Sequence, residues 1–221
     1  MAVTSFPMKS KPFSSRAKRR AGLSCHLPGM SSFMSASSPS TDVDFNDLAA
    51  RIRTWGRELG FQQVGITDVD LSDDEAHLER WLEAGFHGEM GFMAKHGTKR
   101  TRPAELEPGT IRVISVRLDY LPPEVETTKV LGQPSRAYVS RYATGRDYHK
   151  LMRKRLQRLA KTIEAEVGDF GYRAFVDSAP VMERGLARKA GIGWFGKNAM
   201  LLNPRAGSMF FLGELYTDLP L

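Results

Sequence analysis

The chain has little cysteine: Cys25 is the single one among 221 residues. One thiol excludes an internal disulfide framework and any metal site built from cysteines alone. It suits a reducing compartment such as the cytoplasm. No apolar run approaches the roughly 20 residues a membrane-spanning helix needs, so no membrane partner is expected. The five histidines show no ligand spacing and no pairing with cysteine of the kind zinc sites use. No metal is therefore expected on this chain's own ligands. A Gly-x-Ser-x-Gly nucleophile elbow is absent, and so is any internal repeat.

Acids are missing from one region. Residues 1–41 contain Lys9, Lys11, Arg16, Lys18, Arg19 and Arg20 and neither Asp nor Glu. Six of the seven net positive charges thus lie in this stretch, and the remainder is close to neutral. The whole-chain charge is no argument for nucleic acid; local clusters have to carry one. The stretch is rich in Ser and Pro and cannot bury enough apolar surface to offset its ordering entropy. It superficially resembles an organellar transit peptide, and it reads equally as an over-extended start, with Met30 and Met34 as alternative initiators. Residues 1–41 are expected to be a disordered leader or a mis-assigned start, and 42–221 the folded domain.

In that domain, Phe45, Leu48, Ala49, Ile52, Trp55 and Leu59 recur at helical spacing before Gly60. A strand over 61–67 and a helix over 73–84 follow, the latter with Leu78, Trp81 and Leu82 inward. His87 to His96 reads as a short helix or turn that leads into the basic run Lys95–Arg102, broken by Pro103. Ile111 to Tyr120 is apolar on both faces, as a central strand is. Residues 121–136 form a Pro-rich loop, and 138–142 a short strand. The long helix over 147–167 sets Tyr148, Leu151, Met152, Leu156, Leu159 and Ile163 on one face. Lys150, Arg153, Lys154, Arg158 and Lys161 lie on the other. A strand over 173–176, a helix over 180–190 and late strands at 199–202 and 209–216 complete the pattern. Alternation of this kind predicts an α/β or α+β sandwich with a central mixed sheet flanked by helices.

Asp177 falls where a strand ends and a helix begins, a place where α/β proteins put chemistry. Two readings stand side by side. Asp177 or Ser178 caps the helix, with Pro180 in its first turn; or Asp177 is a reactive carboxyl. A helix dipole would lower its pKa, and burial beside an apolar cofactor would raise it. Gly191-Ile-Gly-Trp-Phe-Gly196 has dinucleotide-fingerprint spacing but follows a helix instead of a strand; Gly191 reads better as a helix stop. The basic run and the basic helix face are either solvated or hold phosphates. Tyr142, Tyr148 and His149 stand beside that face as stacking groups for unpaired bases.

Several stretches together carry a family resemblance: Leu59-Gly-Phe-Gln-Gln-Val-Gly-Ile-Thr67, His87-Gly-Glu-Met90, Arg112-Val-Ile-Ser-Val-Arg117, Tyr138-Val-Ser-Arg-Tyr142, Gly145-Arg-Asp-Tyr-His-Lys150 and Phe175-Val-Asp-Ser-Ala-Pro180. With the run from Val181 to Asn198 they resemble the epoxyqueuosine reductases, over most of residues 44–221. The resemblance implies a corrinoid-binding, reductive-dehalogenase-like fold. It implies reduction of the epoxide of epoxyqueuosine at the tRNA wobble position to queuosine, with cobalamin as cofactor and electrons arriving through [4Fe–4S] clusters. Asp177 matches the family's proton donor, and a departing alkoxide needs such an acid.

Cofactor contacts implied in the same way are Arg100, Ser140, Asp177 itself, Leu201 and Leu212, and then Lys197, Asn203 and Ser208. Arg141 is implied at cofactor or tRNA, and Lys150, Arg153, Lys154 and Arg158 at tRNA. The partners implied are the epoxyqueuosine-bearing tRNA and an electron donor, with the protein a monomer. The family's cluster ligands follow a Gly-Glu-Leu segment like Gly213-Glu-Leu215, and this chain ends six residues after it. The expectation is a chain truncated before the ferredoxin-like domain and inactive alone. Two alternatives are a non-catalytic corrinoid-binding protein and a tRNA-binding module.

Overall fold

The computed structural model describes residues 43–121 and 126–221. The leader 1–41, with Cys25, Met30 and Met34, lies outside the described residues. The elements are α1 (Phe45–Glu58), β1 (Gln63–Thr67), α2 (Ser72–Glu83), α3 (Pro103–Leu106), β2 (Arg112–Asp119), α4 (Thr127–Leu131), α5 (Tyr148–Val167), β3 (Tyr172–Phe175), α6 (Glu183–Lys189), β4 (Trp194–Phe195), β5 (Leu201–Leu202) and β6 (Phe210–Thr217). Short 3₁₀ turns cover Gly91–Met93, Gly97–Arg100 and Arg141–Ala143.

The main sheet has the order β1-β2-β6-β3, and every neighbouring pair is antiparallel. The expected mixed sheet is thus corrected to an antiparallel one in an α+β domain. Alternation of elements in sequence does not require parallel pairing: the helical connections here return the chain to an antiparallel neighbour. β4 and β5 form a separate two-stranded ribbon.

Local expectations are also corrected. Residues 138–140 lie in no sheet, and a 3₁₀ turn follows at Arg141–Ala143; β-forming residues make a strand only where an edge is there to pair with. The Pro-rich loop contains α4. Pro103 does not simply break the chain but opens α3, where its missing N–H is harmless. The helix placed at 180–190 starts at Glu183, with Met182 as N-cap, so neither Asp177 nor Ser178 caps it and Pro180 lies outside it. Leu151, placed on the apolar face of α5, is 43% exposed.

The sheet is covered on both sides. On one face Ile114, Val116, Leu118 and Leu215 pack with Leu48 and Ile52 of α1 and Met152, Leu156, Leu159 and Ile163 of α5. Asp44 caps α1 by accepting from the amides of Asn46 and Asp47, and Asp147 accepts from His149 N–H at the start of α5. On the other face Val113, Phe175 and Tyr216 meet Leu186 and Val181, and Ala187, Ile192 and Leu201 extend this layer under the ribbon.

Two glycines make the α6 layer possible. A Cβ on Gly65 would sit 2.1 Å from the Ala190 carbonyl oxygen, so α6 ends directly against the backbone of β1. Gly191 has φ +75. Its N–H bonds the Arg188 carbonyl, and Ile192 N–H bonds that of Ala187, the Schellman closure. The helix stop read at Gly191 is therefore present. We predict that Gly65→Ala destabilises the domain by about 2 kcal/mol or more, because backbone has to move. Gly191→Ala has open space around it and should cost only about 1 kcal/mol, from the left-handed backbone. Thermal unfolding of the two variants should rank them in that order.

Candidate active site

Asp177 follows Val176 at the end of β3, and its backbone has φ 60. An aspartate in the left-handed region costs about 1 kcal/mol unless its surroundings hold it. Here they do. The Asp177 N–H donates to Glu183 Oε1 at 2.6 Å. The Asp177 carboxylate accepts from Tyr148 Oη at 2.8 Å and faces His149 Nε2 at 3.1 Å. Ser178 Oγ accepts from Arg153 at 3.0 Å. The N-terminal end of α5 thus grips the loop through three of its side chains.

The two ring-bearing α5 groups are themselves fixed. Tyr148 stacks on Phe211 of β6, with ring centroids 3.7 Å apart and planes 6° from parallel, and on His149 at 4.0 Å. Burial first, and then its bond to Asp177, push the Tyr148 phenol well above its ordinary range. It stays a donor. His149 Nδ1 lies 3.1 Å from Asp147 Oδ1, so both ring nitrogens face carboxylate oxygens; only a protonated imidazole donates to both. The side chain of Asp177 is 61% exposed. A carboxyl that is open to solvent on one side and backed by a phenol and an imidazole can pass a proton to a bound molecule and be reprotonated from behind.

A second row of groups lies under the loop. Glu214 of β6 and Tyr216 beside it are fully buried. Glu214 Oε1 is 3.4 Å from Ser115 Oγ. Burial first, and then the neighbouring Glu183, push the Glu214 carboxyl well above the usual range. Burial likewise pushes Glu183 up to about 7.

An apolar rim adjoins Asp177. Tyr148 leads through Phe211 to Tyr120, whose ring lies 4.7 Å from that of Phe211 and whose hydroxyl reaches Met209. Met209 is 40% exposed; apart from this row, Tyr142, Trp194, Phe195, Met200, Tyr138 and Val139 are also 40% or more exposed. Clefts of about 300 and 330 Å³ lie elsewhere, around Arg112 and Lys189 and around Glu75 and Thr101.

The other sequence-selected residues fall in three places. Arg100 ends a 3₁₀ turn; it donates to the Phe92 carbonyl, its Nε is buried without a partner, and burial lowers its pKa. Ser140 is exposed just before the next 3₁₀ turn. Arg141 lies over the Tyr138 ring at 5.3 Å, with its Nε and one Nη shielded and unpartnered. Leu201 is buried and Leu212 partly so, both in the layer under the ribbon. Lys197 is exposed and Ser208 half-buried. Asn203 ties its own loop: its amide donates to Gln63 and to the Ile192 carbonyl, and its Oδ1 accepts from the amides of Arg205 and Ala206. On α5, Lys150 pairs with Asp147 at 3.7 Å and Arg153 holds Ser178, while Lys154 and Arg158 are exposed.

Sequence reasoning missed Glu183 and Glu214, and treated Tyr148 and His149 as groups for stacking. The usable signal was Asp147-Tyr148-His149 at the start of a helix, a cap followed by two polar rings.

The fold and site together define an α+β domain that presents one loop-borne carboxyl beside an open apolar rim. Known proteins carry the same domain. The model of the family described as epoxyqueuosine reductase QueG, DUF1730, matches residues 100–178. The epoxyqueuosine reductase of Pseudomonas aeruginosa is 68% identical over 174 residues, 79% of this chain and 48% of that protein. That of Escherichia coli is 57% identical over 182 residues, covering 82% and 48%. The solved epoxyqueuosine reductase of Streptococcus thermophilus superposes with a TM-score of 0.67 at 30% identity, over 79% of this chain and 47% of that one. The chain is similar to epoxyqueuosine reductases over about four-fifths of its own length, and it spans about half the length of the curated relatives it matches.

The raised Glu183 has a consequence for stability. Its folded value of about 7 exceeds the 4.5 of an unperturbed glutamate. Its contribution is fully present below about pH 4.5 and is lost as pH rises through about 7. Glu183→Gln removes this dependence and still offers an acceptor to the Asp177 amide. Relative to wild type, the variant should therefore gain roughly 2–3 kcal/mol between about pH 4.5 and 8, read by urea unfolding at both ends.

Proposed function

We propose that residues 43–221 form the cobalamin-binding part of an epoxyqueuosine reductase, in which Asp177 protonates the epoxide oxygen of epoxyqueuosine in tRNA as its C–O bond opens. The observation that carries this reading is the Asp177 carboxyl held by Tyr148 and His149 at the edge of an apolar rim, in a chain 68% identical to an epoxyqueuosine reductase.

The residues present fit a corrinoid. Arg100 and Arg141 each keep a shielded guanidinium nitrogen without a partner, as groups awaiting an amide or phosphate oxygen do. Exposed Tyr138, Val139, Trp194, Phe195, Met200 and Met209 offer apolar surface to a broad macrocycle. Arg100, Ser140, Arg141, Lys197 and Ser208 would hold polar edges of the cofactor, with Leu201 and Leu212 shaping the floor. Asn203 would act through the loop it ties. Bound cobalamin would supply the reducing centre. The chain's own groups do the rest. Asp177 presents a proton toward the substrate; His149, braced by Asp147, replaces it; and Tyr148, kept protonated by burial, orients the carboxylate.

Lys150, Arg153, Lys154 and Arg158 line the adjoining part of α5, where phosphates of the tRNA would lie. Electrons would come from a donor carrying [4Fe–4S] clusters; among the described residues no group of His, Cys, Asp and Glu is arranged to hold a metal. No helix among the described residues is long and apolar enough to cross a membrane, and a cytoplasmic setting belongs to this reading.

Two measurements test it. Purified chain titrated with cob(II)alamin should shift the visible absorption to the base-off form, and Arg100→Ala with Arg141→Ala should weaken this at least tenfold; an unchanged spectrum in the wild type contradicts the cofactor assignment. Substrate tRNA should bind with an affinity that falls steeply with salt. Neutralising Lys154 and Arg158 should flatten the log–log salt dependence by about 2, roughly one unit for each phosphate that no longer meets a cation.

A further inference from the structure

Behind Asp177 lie carboxyls that this chemistry leaves unused. Glu214 Oε2 is buried and has no hydrogen-bond partner, and neither has the buried Tyr216 hydroxyl. Glu183 stands between this buried row and the loop, with its Oε1 on the Asp177 N–H at 2.6 Å. We infer that Glu183 is the positioning residue of the Asp177 loop, its carboxylate receiving the Asp177 N–H, while the enclosed Glu214 behind it stays protonated. The inference rests on the reading of Asp177 as the acid, but it concerns the loop itself.

Three observations converge on it. Asp177 has φ 60, a conformation that its amide contact helps to maintain. Glu214 is wholly enclosed, and its one side-chain contact is the long one to Ser115 at 3.4 Å, so an ionised Glu214 would lack the donors a buried carboxylate needs. Among the described residues His149 and Arg184 act electrostatically on Glu183, whereas no cation bonds Glu214. The groups that face Glu183 are Asp177 from its loop, Tyr148 and His149 from α5, Arg184 from its own helix, and Glu214 and Tyr216 from β6, with Ser115 of β2 beyond Glu214. Arg184 is bonded to the Ala199 carbonyl, and His149 stands between Asp147 and Asp177. The positive groups thus favour ionisation at Glu183, and its charge raises the cost of ionising the enclosed Glu214.

The sign of the pH dependence follows. A carboxylate accepts the Asp177 N–H more strongly than a neutral carboxyl does. The latch is therefore firm above about pH 7, where Glu183 is ionised, and slackens as pH falls through that value.

The test uses the ¹⁵N-labelled full chain, without cofactor or RNA, and follows the Asp177 amide by NMR from about pH 5 to 9. In the wild type the amide proton should move downfield with rising pH, with a midpoint near 7. Glu183→Gln should abolish the titration yet keep the amide protected from exchange, because the side-chain carbonyl still accepts. Glu183→Ala should speed exchange at Asp177 at least tenfold. Glu214→Gln, a neutral group in place of a neutral carboxyl, should leave the midpoint within about half a pH unit, and a larger fall would show Glu214 ionised and overturn the assignment. A flat wild-type profile, or a Glu183→Gln variant that titrates like the wild type, overturns the inference. So does loss of the titration in His149→Gln, which would assign it to the imidazole. Failure here would leave the role of Asp177 in turnover standing, since that role is read from turnover alone.

Discussion

The hydrogen bond from the Asp177 amide to the Glu183 carboxyl is the contact on which the site depends. It joins the loop after β3 to the start of α6 across five intervening residues that belong to neither element. The backbone itself closes a tight turn there, Ser178 N–H donating to the Val176 carbonyl at 2.7 Å around Asp177 at φ 60, and the Glu183 contact fixes the amide within that turn. Tyr148 and His149 then meet the Asp177 carboxylate. The Asp177 carboxyl is thus placed by agreement among three elements: α6 holds its amide, α5 holds its side chain, and β6 holds α5's tyrosine through Phe211.

The two faces of the sheet divide the work. Toward α1 and α5 the buried residues of β2 and β6 are Ile114, Val116, Leu118 and Leu215, an apolar layer that supplies hydrophobic stabilisation. Toward α6 the same strands bury Ser115, Arg117, Glu214 and Tyr216. Arg117 is compensated by Asp119 at 3.0 Å and Gln63 at 3.2 Å, whereas no base among the described residues compensates Glu214. The polar burial therefore concentrates under the Asp177 loop, where burial without a counter-charge raises the pKa of the Glu214 carboxyl. Gly65 allows this arrangement by letting α6 approach the sheet to backbone contact.

Much of the scaffold was legible because it rests on local periodicity. The apolar repeat of Phe45 to Leu59 and that of Met152 to Ile163 mark α1 and α5, and Gly191 marks the end of α6 by its left-handed turn. The pairing of the strands was not legible, since antiparallel and mixed sheets share the same alternation along each strand. The segment 138–142 has a strand's composition and still lies outside the sheet, because pairing depends on an available edge. At the site, Asp177 was legible from its place in a motif. Glu183 and Glu214 were not: one looks like an ordinary acid in a first helical turn and the other like an alternating polar residue of a strand. Their meaning comes from tertiary burial that brings positions 31 residues apart together.

In this account the Asp177 carboxyl delivers the proton that opens the epoxide. The most direct test is single-turnover reduction of epoxyqueuosine-bearing tRNA by residues 43–221 joined to the rest of the Pseudomonas aeruginosa relative. The comparison is between Asp177 and Asp177→Asn in that protein, with cobalamin loading checked by absorption. A fall in rate of at least a hundredfold, with cofactor and tRNA binding retained, is the predicted result. Turnover by Asp177→Asn at the wild-type rate would contradict the account.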